Sequence, residues 1–191
     1  KGSYQIKAAN YIACHNQAYV NKYALIDDLK EGGSFLLNTI WTPEELDANL
    51  PADLKRKIVE KKAKFYTIDA VNIAKEIGLG GRVNMIVQAA FFAISKILPV
   101  EDAVKYLKEQ VNKTYGAKGQ DIVDMNCAAI DKGVTMFKQI DVPAEWANAT
   151  DEGHQLDPNM PEYFKNVLFK MGRQEGDKLP VSAFTGYEDG S

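Results

Sequence analysis

Residues 78 to 92 read GLGGRVNMIVQAAFF, three glycines, an arginine and an asparagine opening onto a long apolar run. A glycine-rich loop feeding a helix can cradle a phosphate, because free backbone N–H groups and the helix dipole converge at the helix start. The spacing here is not that of a nucleotide fingerprint. G-x-G-x-x-G must follow a strand, so that the turn sets a pyrophosphate on the next helix. Gly78, Gly80 and Gly81 instead follow a helical pattern, with the third glycine misplaced, and no G-K-[ST] closes the loop. Two readings stand. In one, Gly78 caps a helix over 70–77, Asn84 caps the next helix, and the loop is a connector. In the other, Arg82, with Asn84 beside it at a helix start, holds an anion: a phosphate, or a carboxylate of a neighbouring domain. Arg82 and Asn84 are therefore the candidate binding residues, and no catalytic residue or metal ligand is assigned.

Other residues invite chemistry and are read more plainly. Cys14-His15 pairs a nucleophile type with a base type, but adjacent strand residues point to opposite faces, so a structural role is expected. Cys14 and Cys127 are the two cysteines, far apart and without C-x-x-C spacing, which argues against a disulfide scaffold, a zinc site or an iron–sulfur cluster in this chain. His154 is read as solvated and Lys118, in YGAKGQ, as part of a cap and connector. The basic run Lys55, Arg56, Lys57, Lys61, Lys62 and Lys64 would steer an anionic partner or form the solvated face of a helix; the second reading is preferred, since Ile58, Val59 and Glu60 interrupt it.

The elements that position these residues alternate at first. Residues 9–14 read as a strand, 17–30 as a helix closed by Gly32-Gly33, 34–41 as a buried strand, and 64–69 as a third strand. Thr42-Pro43-Glu44-Glu45 is a helix start, with Thr42 as N-cap and Glu45 completing a capping box. From residue 70 the pattern is helical: 70–77, an almost wholly apolar helix over 84–98, then 100–116 and about 120–138. The last 50 residues are rich in proline and acids, with one short helix over 160–172 carrying Tyr163, Phe164, Val167, Leu168 and Met171 on one face. The expected fold is α/β: a short, mainly parallel sheet flanked by helices, a helical second half and an extended C-terminal tail. Residues 1–142 form the body, and residues 143–191 a linker or tail.

Composition narrows the class. With 191 residues, 46% hydrophobic and 26% charged, the chain can bury one sizeable core. A net charge of -3 gives no general attraction to nucleic acid or an anionic membrane. No apolar stretch approaches the roughly 20 residues that span a bilayer. The cysteine usage fits a reducing compartment, so a cytoplasmic location is expected. The start, Lys1-Gly2-Ser3-Tyr4, is neither an initiator methionine nor a signal peptide, and a beginning inside a larger protein is expected.

The wording of long stretches adds a resemblance. FYTIDAVNIAKEIGLGGRVNMIVQAAFFAISKILP (65–99), NYIACHNQAYVNKYALIDDLKEGGSFLLNTIWTPEELDANLP (10–51) and YLKEQVNKTYGAKGQDIVDMNCAAIDKG (106–133) resemble pyruvate:ferredoxin (flavodoxin) oxidoreductase, in the later part of its third, γ-like domain. GDKLPVSAFTGYEDG (176–190) is similar to the lead-in to that family's small Glu-Lys-Arg domain. The resemblance implies pyruvate oxidation with coenzyme A, electrons passing to ferredoxin or flavodoxin through other domains, and a homo-oligomer at full length. It implies thiamine diphosphate, magnesium and [4Fe–4S] clusters in the whole enzyme, none of them bound by this segment. It implies for this segment a scaffold role, packing the active-site domains and helping to position coenzyme A, with the isolated piece inactive. The alternatives are a segment or γ subunit of another 2-oxoacid:ferredoxin oxidoreductase, or a non-catalytic assembly module.

Overall fold

The computed structural model describes residues 6–150 and 159–187. Four strands form one sheet in the order β1 (Ala9–Cys14), β2 (Leu29–Asn38), β3 (Lys64–Ile68), β4 (Lys138–Ile140). The first three run parallel, and β4 closes the far edge antiparallel to β3, with Phe65 opposite Ile140. Alternation along the strands sends side chains to opposite faces. Cys14, Phe35, Leu37 and Phe65 face helices α1 (Pro43–Asn49) and α2 (Ala52–Glu60), where Leu46, Leu50, Leu54 and Ile58 complete the first core. Leu36 and Ile68 face α3 (Ala70–Glu76) and α4 (Asn84–Ser95), burying Ile73, Ile86, Val87 and Ile94 in the second. Helices α5 (Val100–Tyr115) and α6 (Gln120–Gly133) add a third cluster around Leu107, Val111, Val123 and Ile130. The fold is thus the expected α/β arrangement with a helical second half.

Several local expectations hold for local reasons. Thr42 accepts from the Glu45 backbone N–H while the Glu45 side chain accepts from the Thr42 N–H, the reciprocal box that starts α1. Gly78, at φ 82°, ends α3 in the left-handed region. Other expectations fail. Residues 17–30 are not a helix: a single 3-10 turn at Gln17–Tyr19 gives way to turns, and β2 already begins at Leu29. Asp27 and Asp28 would sit at the negative end of such a helix, where acids are unfavourable. Gly32-Gly33 is accordingly not a helix cap. It lies in a bulge of β2, since Ala9 pairs Leu29 but Tyr11 pairs Ser34. Gly32 turns at φ 71°, and a Cβ on Gly33 would lie 2.8 Å from Leu29 Cδ1.

Further along, the first turn of α4 corrects another reading: Val83, in helical conformation, occupies its cap position without a side-chain hydrogen bond, so Asn84 is the first helical residue rather than the cap. Helix α6 stops at Gly133 instead of 138, leaving Lys138–Ile140 free to form β4. At Gly133 α6 lies close against α4; a Cβ there would fall 2.4 Å from the Ile86 carbonyl oxygen.

The tail begins folded onto the body. A 3-10 turn, Ala144–Asn148, buries Trp146 against Phe65, and its Nε1 donates to Asp47 Oδ1 at 2.8 Å. The expected short helix is present as a π-helical turn, Phe164–Leu168, running into α7 (Phe169–Gly172). Val167 is buried, whereas Phe164, Leu168, Phe169 and Met171 remain 37–49% exposed. His154 lies outside the described residues.

Candidate functional site

The carboxyl ends of the parallel strands are where open α/β sheets place their ligands, and here polar residues succeed the apolar strands. Cys14 is followed by His15, Asn16 and Gln17, and β2 ends in Asn38, then Thr39. Asn38, 5% exposed, bridges neighbours: Nδ2 donates to the His15 carbonyl at 2.9 Å, and Oδ1 accepts from the Ala70 N–H at 3.0 Å. Gln17 Oε1 accepts from Thr39 Oγ1 at 2.7 Å and from the Ile40 N–H at 3.1 Å. These amides lace the strand ends together and fix the floor of a cleft of about 380 Å3 lined by His15, Gln17, Asn38, Thr39, Gly81 and Val83.

The glycine loop therefore closes over the strand ends. Arg82 is exposed between the two lining residues Gly81 and Val83. Asn84, also exposed, lines an adjoining groove of about 350 Å3 with Tyr11, His15, Gln88 and Phe91. His15 borders both spaces, sharing the groove with Asn84 and the cleft with Gly81 and Val83, the two neighbours of Arg82. Tyr11 packs edge-on to Phe91 at 5.0 Å, and its buried hydroxyl has no hydrogen-bond partner among the described residues. Burial pushes that phenol far above its ordinary pKa, so it stays a donor. The sequence had one signal for Asn38, Thr39 and Gln17, polar amides and a hydroxyl where apolar strands end, but only the sheet shows that they meet.

This arrangement can bind and orient a polar or anionic group, and it holds no nucleophile and base in register. Burial pushes the Cys14 thiol up, against a smaller opposing effect of its hydrogen bond to the Asn16 carbonyl at 3.1 Å. Cys14 sits in the first core, while Cys127 packs on the third cluster beyond the opposite face of the sheet, its thiol also pushed up by burial. The two do not fit a shared iron–sulfur cluster, and no group of three metal-ligating side chains occurs among the described residues. The basic run is no free patch either. Lys55 pairs with Asp47, Lys57 with Asp27 and Asp53, and Lys62 with Glu31, while Lys61 donates to the carbonyls of Asp27 and Leu29. Lys118 lies over the Tyr115 ring at 5.5 Å. No helix among the described residues is long and apolar enough to cross a membrane.

A mostly parallel sheet flanked by helices, with a polar cleft at its strand ends, makes this an α/β domain of the open-sheet class. The chain belongs to the pyruvate ferredoxin/flavodoxin oxidoreductase family, whose model matches residues 1–136. A second model, EKR, described as a domain of unknown function, matches residues 150–191. The chain is 50% identical over 185 residues to the pyruvate:ferredoxin oxidoreductase of Moorella thermoacetica, covering 97% of this chain and 16% of that protein. It is 46% identical to the pyruvate-flavodoxin oxidoreductase of Klebsiella pneumoniae, over 98% and 16%. The mitochondrial pyruvate dehydrogenase [NADP(+)] of Euglena gracilis is 39% identical, over 95% and 10%. The chain thus spans about a sixth or less of these relatives. The crystal structure of pyruvate oxidoreductase subunit PORC from Thermotoga maritima shares the fold, with a TM-score of 0.56 at 19% identity over 70% of this chain and 66% of that one.

Proposed function

We propose that this chain is the later part of the third, γ-like domain of a pyruvate:ferredoxin (flavodoxin) oxidoreductase, with residues 1–142 as scaffold and 143–191 as a linker or tail, of which residues 150–191 match the EKR model. The whole enzyme would convert pyruvate, coenzyme A and oxidised ferredoxin or flavodoxin to acetyl-coenzyme A, carbon dioxide and reduced carrier, in the cytoplasm and as a homo-oligomer. Thiamine diphosphate, magnesium and [4Fe–4S] clusters would be held by other domains. This segment packs against them and helps position coenzyme A through the cleft beneath the glycine loop. The carrying observation is that Gly81 and Val83, flanking Arg82, line the same cleft as His15 and Asn38 at the carboxyl ends of β1 and β2. There a guanidinium can meet a phosphate or a neighbouring carboxylate. The match of a second family model at residues 150–191, on the same polypeptide, supports the single-chain type over a separate γ subunit.

The test is Arg82→Ala in the intact protein that carries this chain. Loss of one charge-assisted phosphate contact should raise the KM for coenzyme A about tenfold with kcat within about twofold. An unchanged KM and melting temperature would leave the loop a connector. The isolated chain should give no pyruvate-dependent viologen reduction, and turnover there would overturn the assignment of roles.

A further inference from the structure

Six charged side chains close a ring in which acids and bases alternate. Lys178 pairs with Asp27, Asp27 with Lys57 at 2.6 Å, and Lys57 with Asp53 at 2.9 Å. Asp53 then meets Arg173 at 3.5 Å, Arg173 meets Glu175 at 3.1 Å, and Glu175 returns to Lys178 at 3.3 Å. Three members belong to the body: Asp27 on the connection from β1 to β2, and Asp53 and Lys57 one turn apart on α2. The other three, Arg173, Glu175 and Lys178, follow α7 in the tail. Body acids outnumber the body base, and tail bases outnumber the tail acid, so each half is complementary to the other.

We propose that this ring is an electrostatic clasp that fastens residues 162–184 as a strap across the 20–28 connection, and that breaking the clasp lifts the strap from the groove beneath it. Outside the ring, Lys7 of the body also pairs with the strap's Asp177 at 3.3 Å, both side chains largely exposed, and the remaining holds are slight. Val167 is buried and Ala24 N–H reaches the Arg173 carbonyl at 3.5 Å, while Phe164, Leu168, Phe169 and Met171 stay partly in solvent. Between strap and body lies a groove of about 620 Å3 lined by Tyr23, Leu50, Pro51, Phe164, Leu168 and Arg173. The turn carrying the clasp is specifically shaped. Gln174 adopts φ 63°, and the Glu175 N–H returns to the Lys170 carbonyl at 2.9 Å, so that Arg173 and Glu175 both present to the ring. Burial pushes the Asp27 carboxyl up, but the hydrogen bonds and charges of Lys178 and Lys57 outweigh it and leave it below the usual range. Lys57 is driven the other way, above the usual lysine range, as the hydrogen bonds and charges of Asp27 and Asp53 overcome burial.

The clasp differs from the coenzyme A cleft in place and in readout, since Arg82 takes no part in it. Partly exposed ion pairs are screened by salt, so the test is hydrogen–deuterium exchange of the intact protein at 50 and 500 mM NaCl. Amides of residues 162–184 should exchange about 3- to 10-fold faster at the higher salt, with peptides of α4 to α6 unchanged. Lys178→Gln at low salt should do the same, and Lys178→Gln with Asp27→Asn should be no faster than the faster single variant, because both open one ring. Strap exchange indifferent to salt and to Lys178→Gln overturns the clasp, as do additive effects of the two substitutions. If Asp27→Asn unfolds the body, seen as faster exchange in α4 to α6, the salt series and Lys178→Gln alone decide.

Discussion

Asn38 holds two strand ends and a helix start with one side chain, because its amide supplies a donor to His15 and an acceptor to Ala70. Replacing it with alanine leaves a buried N–H and a carbonyl without partners. Asn38→Ala should cost about 2–4 kcal/mol, read as a lower urea midpoint at unchanged slope. Asn38→Asp should cost less at Ala70, whose N–H keeps an acceptor, and more at His15, where a carboxylate would face a carbonyl. The sequence points to Arg82 and Asn84 through a glycine pattern that is local; in the structure Asn84 shares a groove with His15, while Arg82 stays exposed between the cleft-lining Gly81 and Val83. It does not point to Asn38 or Gln17 as a laced pair, since their partners lie more than 20 residues away and meet only once β1 and β2 are neighbours. The same distance effect hides the charged ring: the pairing of Lys57 with Asp53 is visible as an i, i+4 spacing, but Asp27 and Arg173 are not.

At the level of elements, the features read correctly are those decided within four or five residues. The capping box at Thr42, the left-handed Gly78 and the apolar α4 are of this kind, although α4 ends at Ser95, with Lys96 left-handed, rather than at 98. The misread helix over 17–30 had apolar residues at a usable spacing, but Val20, Ile26 and Leu29 enter the core from turns and from a strand. Leu29 pairs with Ala9 in the sheet while residues 20–28 run as turns, and a helix of this length is too marginal on its own to hold against that packing. Strand β4 is three residues long and two of them are polar, too short to signal itself. The glycine at the end of α6 is a different matter, since its reason is the neighbour. Alanine is a better helix former than glycine by about 1 kcal/mol, yet at Gly133 a methyl group would meet the Ile86 backbone. Gly133→Ala should destabilise by about 1–3 kcal/mol, measured by thermal unfolding, because helix backbones must part to admit it. A gain in stability would mean that α4 and α6 are less tightly apposed than described.

On the scale of the whole molecule, the described tail carries four large apolar side chains that stay 37–49% exposed. Phe164, Leu168, Phe169 and Met171 together expose a sticky face, which fits a segment spanning about a sixth of its relatives. The isolated chain should bind a hydrophobic dye and self-associate, and Phe164→Ser with Leu168→Ser should reduce both by at least about threefold. A clean, dye-free monomer would count against the segment reading. The pairing of β3 with β4 also has a consequence for how the protein is made. Phe65 leaves the ribosome well before Ile140 and Trp146, the residues that seal its edge and cover its ring. At ordinary translation speed that interval lasts roughly 4–15 s, far longer than a chain of this size takes to collapse. During it a parallel-sheet edge and an unroofed aromatic core are open to other nascent chains. Synthesis order thus leaves the sheet's last edge and the lid of its core to the final stretch of the body, so a pause just before the codon for Ile140 would lengthen the time in which a chaperone must guard it.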